Sequence, residues 1–198
     1  MTDIATTLDL APQARIVARL AADVRDEQLD GRTPCPRYAV RNLLGHLGHL
    51  AVAFRDAARK DLGVTTDTDP GTTLPDLPPG WREELPAALD ALAEAWRDPA
   101  AWTGMTRAGG VDLPGEVAGA VAADELVVHG WDLTRATGQR YAPDPAALRA
   151  SHAFLRAAAE EAGDGGSGIF GPVVPVPPDA PLLARAVGLS GRDPDWTP

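Results

Sequence analysis

Residues 115–137, GEVAGAVAADELVVHGWDLTRAT, make one stretch free of proline, with apolar side chains on nearly every side of a helix. Pro114 opens it and Gly138 closes it, in the order that helix ends favour. A helix that is apolar all round is stable only when other elements surround it. The chain must therefore supply partners for it.

It supplies helices. Residues 5–28 carry Leu10, Ile16, Val17, Leu20 and Val24 at helical spacing, with Pro12 in the first turn. The segment LDGRTPCPRY interrupts the pattern. A second helix is expected from about Arg37 to Leu62, with a stripe of Val40, Leu43, Leu44, Leu47, Ala51 and Phe54. Residues 63–80 read as a long loop, and a third helix follows from Trp81 to Arg97. WTGMTRAGGVDLPG reads as a loop with short extended segments. After the central helix, Pro143 or Pro145 opens a fifth, running to Glu161 and stopped by GDGGSG at 163–168. Residues 169–181 hold too many prolines for a helix or an inner strand, yet their apolar residues favour contact with the body. A short helix is expected near 181–188. The expectation is all-α: a helix bundle in one domain, residues 1–198, with an additional helix and a proline-rich C-terminal wrap.

Composition narrows the partners. The formal net charge is −10, which argues against nucleic acid, whose backbone needs a basic face. No run of residues reaches membrane-spanning length, so no membrane partner is expected. Cys35 is the only cysteine, so no intramolecular disulfide can form. It reads as a small apolar filler. With no basic-then-apolar leader at the start, the expected location is cytoplasmic. Oligomeric state stays open between monomer and homodimer.

The polar residues of the central helix are the informative ones. Glu125, His129 and Asp132 fall within roughly 60° of one another at i, i+4 and i+7. A buried carboxylate is costly unless it is paired or bound to a metal. The strip is one wall of a metal site, a structural Glu–His or Asp–Arg135 pair, or a face turned to water. On the second helix His46 lies roughly 90° from the centre of the apolar stripe, and His49 roughly 150° away, toward solvent. His46 is thus either a ligand facing the bundle or a boundary residue with a backbone partner. His152 reads as ordinary. His46 from one helix, with Glu125 and His129 from another, is the way bundle cores build metal sites. Two imidazoles and a carboxylate suit Zn²⁺, with Ni²⁺, Fe²⁺ and Mn²⁺ as alternatives. Three protein ligands leave coordination positions open.

Three segments carry a family resemblance: TPCPRYAVRNLLGHL (33–47), ADELVVHGWDLTRATGQ (123–139) and FGPVVPVPPDAPLLARAVGLSGRDP (170–194). They resemble the mycothiol-dependent maleylpyruvate isomerase N-terminal family, in its actinobacterial metal-binding branch, within the DinB/YfiT-like superfamily. The resemblance implies a DinB-like four-helix bundle with a divalent metal, usually zinc, at one end. By motif its ligands map to His46, Glu125 and His129, and not to His49. It also implies a low-molecular-weight thiol, mycothiol, as cosubstrate of an isomerase or S-transferase acting on a small electrophile. Asp132 would hydrogen-bond the free nitrogen of a ligand imidazole. The alternative function is a non-enzymatic metal- or small-molecule-binding bundle. Loops 63–80 and 102–114 are expected to shape the mouth of the site.

Overall fold

The computed structural model describes residues 8–69, 71, 73–162 and 171–198. The expected helix stop at 163–168 lies outside the described residues, as do residues 5–7 of the first helical stretch. Among the described residues seven α-helices follow one another: α1 Ala11–Ala22, α2 Val40–Arg59, α3 Val64–Asp67, α4 Trp81–Ala95, α5 Gly115–Thr137, α6 Pro145–Ala162 and α7 Leu182–Leu189. Two strands, β1 Met105–Ala108 and β2 Val111–Pro114, pair as an antiparallel hairpin.

Helices α1, α2, α4 and α5 form the bundle. Each of α1 and α2 packs on both α4 and α5, so the order around the bundle is α1, α4, α2, α5. The apolar stripe predicted for α2 is buried throughout. The central helix α5 is buried along most of its length, as its all-round apolar character requires. Outside the bundle α6 covers α5, and α7 packs on α6. No helix among the described residues is long and apolar enough to cross a membrane.

Helix ends follow local chemistry. Pro12 sits in the first turn of α1, where its missing N–H leaves no bond unmade. Gly138 caps α5 at φ 73°, a left-handed position that glycine adopts without strain. Lys60 takes the same conformation after α2, and its ammonium donates to Thr103 O at 2.8 Å. Residues 63–80 are not loop throughout, since Val64–Asp67 form one helical turn. The extended segments expected in 102–115 are the hairpin.

Two polar side chains pin α5 from outside. Gln13, fully buried on α1, donates to Leu126 O at 3.0 Å and accepts from Asp144 N at 2.9 Å. Tyr141 donates to Val127 O at 2.7 Å. Its ring fits because residue 130 is glycine: a Cβ there would lie 2.7 Å from the Tyr141 hydroxyl. Between α5 and α6, Ser151 donates to the buried Asp124 at 2.6 Å. Burial pushes the Asp124 carboxyl up to about 7.

That shift has a sign. The folded state holds the Asp124 proton more tightly than the unfolded chain, so this group's contribution to stability is greatest at low pH and falls as pH rises toward 7. Asn at this position keeps an acceptor for Ser151 and carries no charge. Asp124→Asn should therefore raise Tm more at pH 8 than at pH 5, read by thermal unfolding of both proteins at both pH values. An equal gap at the two pH values would contradict the buried-carboxyl assignment.

Candidate metal centre

α2 and α5 bring His46, Glu125 and His129 together across the bundle, and one ligand atom from each lies within 4.8 Å of the others. Glu125 and His129 are one helical turn apart, so their side chains stack on one face of α5. His46 reaches them from the facing side of α2. Glu125 Oε2 lies 3.0 Å from His129 Nε2 and 3.2 Å from His46 Nε2. The two imidazoles meet edge to face with centroids 4.8 Å apart. The Tyr38 ring lies 5.4 Å from the His46 ring. Both histidines are buried, at 8% and 6% exposure, while the Glu125 side chain keeps one-fifth of its surface open. His49 is exposed on the outer side of α2, away from the site.

Asp132 sits behind His129. Its Oδ2 accepts from His129 Nδ1 at 2.9 Å, and its side chain has no exposure at all. Arg192, from the segment after α7, donates Nε to Asp132 Oδ1 at 3.0 Å and Nη2 to Oδ2 at 3.0 Å. The arginine partner of Asp132 is thus Arg192, not Arg135. Arg135 instead donates to Trp196 O, with Nε at 2.9 Å, and ties down the same C-terminal segment.

Electrostatics follow from this geometry. Burial pushes the Glu125 carboxyl up, but the two imidazoles, His129 foremost, overcome it and hold it well below the usual range. Burial opposes charge on His129, yet Asp132 and Glu125 on its two nitrogens raise it to about 9. Burial holds His46 below its ordinary value. Burial also opposes ionisation of Asp132, but Arg192 and His129 keep it low. His129 therefore carries a proton at neutral pH while His46 is neutral. Cys35, half-buried nearby, has its thiol pushed up by burial and by Asp132. It is no activated nucleophile.

The donor set fits a divalent cation: two imidazole nitrogens and a carboxylate oxygen converge. Asp132 holds the far nitrogen of His129, as the partners of ligand histidines do. Arg192 is the residue that sequence reasoning missed. Its only signal is indirect: a buried aspartate on an apolar helix needs a cation, and periodicity does not say which. The mouth also differs from expectation. The hairpin 105–114 is anchored by Thr106 Oγ1 donating to Ala57 O at 2.6 Å. That is three turns beyond His46 along α2, roughly 16 Å at 1.5 Å per residue. The hairpin therefore lies at the opposite end of the bundle. Of the two loops, 63–80 does border the site's helix: a Cβ on Gly45, next to His46, would fall 2.4 Å from Asp76 O. The segment near Tyr38 and Cys35 and the stretch through Arg192 complete the surround.

Two predictions follow from these contacts. A cation entering the site displaces the proton on His129, so metal affinity should rise about tenfold per pH unit from pH 6 to pH 8. Competition with a chromophoric chelator measures this, and a flat profile would count against His129 as a ligand. Arg192→Met leaves a fully buried carboxylate without its guanidinium and should cost roughly 3–5 kcal/mol of stability in denaturant unfolding.

The comparisons with known proteins agree with the fold. The family model of the mycothiol maleylpyruvate isomerase N-terminal domain matches residues 10–134. The uncharacterized proteins MT0763 and Rv0738, from two strains of Mycobacterium tuberculosis, are each 26% identical over 179 residues, covering 88% of this chain and 91% of their own. A crystal structure of the mycothiol-dependent maleylpyruvate isomerase superposes with a TM-score of 0.57 at 16% identity, over 92% of this chain and 86% of that one. A mutant of that isomerase gives a TM-score of 0.51 at 15% identity, over 80% and 70%. The family match spans α1 to the end of the polar strip on α5, and the chain belongs to the mycothiol maleylpyruvate isomerase N-terminal domain family.

Proposed function

We propose that this protein binds one divalent cation, best suited to Zn²⁺, through His46, Glu125 and His129, and acts as a mycothiol-dependent isomerase or S-transferase on a small electrophile. One observation carries the reading: three ligand atoms from two helices converge, with a buried carboxylate orienting the most enclosed imidazole. Family membership supports the thiol. When bound, a divalent cation supplies Lewis acidity and lowers the pKa of a coordinated thiol.

The chain's own residues do the rest. Asp132 fixes the His129 ring with Nδ1 as donor, which leaves Nε2 turned toward His46 and Glu125. Arg192 keeps Asp132 ionised so that this bond persists. Glu125 places a negative charge among the ligands while both its neighbours are buried. The burial of both imidazoles and of Asp132 limits water around them, which strengthens each of these interactions.

The experiment has two arms. Protein purified without added metal should contain about one metal ion per chain, and His129→Ala should lose it. Asp132→Asn should weaken metal affinity by about 10–100-fold, the usual cost of removing such a partner. Full metal retention in both His46→Ala and Glu125→Ala would sink the ligand assignment. In the second arm, metal-loaded protein is incubated with mycothiol and a panel of electrophiles that includes maleylpyruvate. Metal-dependent isomer or thioether formation is the expected result. Metal-replete protein that turns over none of them is a binding protein instead.

A further inference from the structure

A second cationic site lies on the α6–α7 side, built from none of the residues of the metal centre. His152 and Arg156 stand one turn apart on α6, and Arg185 comes from α7. With Val174, Val176 and Leu189 they line a cleft of about 360 Å³. That volume is in the range of small-molecule sites. The apolar wall is fixed in place. Val174 N donates to Gly188 O at 2.9 Å, and a Cβ on Gly188 would lie 2.4 Å from Val176 Cγ2.

Among the described residues the basic groups are thinly compensated, by one exposed carboxylate. Arg185 Nε is buried and, among the described residues, has no hydrogen-bond partner. Arg156 reaches only the exposed Glu160, at 3.6 Å. His152, Arg156 and Arg185 line the same cleft, and burial together with the charges of Arg185 and Arg156 lowers the His152 pKa. In a chain of net charge −10, a cleft whose lining holds three basic groups and no carboxylate runs against the overall balance. Guanidinium groups beside an apolar wall match a ligand with a charged end and a hydrocarbon end.

We propose that this cleft binds a small amphipathic anion, its head held by Arg185 and Arg156 and its short hydrocarbon tail against Val174, Val176 and Leu189. The site is independent of the metal centre and of the function assigned there. The full chain is titrated with hexanoate, hexyl phosphate, hexanol and inorganic phosphate, following the His152 ring protons by NMR. One or both amphipathic anions should bind saturably and raise the His152 pKa, and the tighter of the two identifies the head. Hexanol and inorganic phosphate should bind at least tenfold more weakly. Arg185→Gln and Arg156→Glu should each weaken binding at least tenfold, and His129→Ala should leave it unchanged. Arg156 is exposed, so its variant tests the site even if Arg185→Gln fails to fold. No saturable binding, equal binding of hexanol or inorganic phosphate, unchanged affinity in Arg156→Glu, or loss of binding in His129→Ala would overturn the proposal.

Discussion

The Asp132 carboxylate is wholly enclosed, and the two groups that face it organise the end of the bundle around it. An ionised carboxylate in that position is tolerable only with charge-bearing donors on both oxygens. His129 supplies one from the same helix, and Arg192 supplies the other from the C-terminal segment. The first contact sets the ring orientation at the metal centre. The second fastens the segment after α7 to the bundle, with help from Arg135 on Trp196. Site geometry and the course of the tail are therefore consequences of one buried charge.

Much of this was legible in the chain. The apolar character of residues 115–137 requires a central helix, and the strip of Glu125, His129 and Asp132 is visible as the exception to it. The angular offset of His46 and His49 from the α2 stripe separates the buried imidazole from the exposed one. These inferences work because helical period is a local property.

What escaped is long-range. Arg192 belongs to GRDPDW, a stretch without periodicity, and it meets Asp132 across most of the α6–α7 region. The nearer Arg135, one turn from Asp132, is the partner that local rules favour. It loses because the backbone carbonyl of Trp196 takes its guanidinium. The hairpin showed the same limit: its strands were readable as extended segments, but nothing in them says that Thr106 docks at Ala57 rather than beside His46.

The Arg192–Asp132 contact also orders the assembly of the molecule in time. During synthesis α1, α2, α4 and α5 all emerge before the residue that compensates the charge at their centre. A nascent bundle can collapse on its leucines, yet its deepest carboxylate waits for a guanidinium made some sixty positions later. Until that residue docks, Asp132 has only His129 to answer it. Completion of the core is thereby coupled to synthesis of the stretch through Arg192, and a chain interrupted before it leaves Asp132 with one of its two cationic partners.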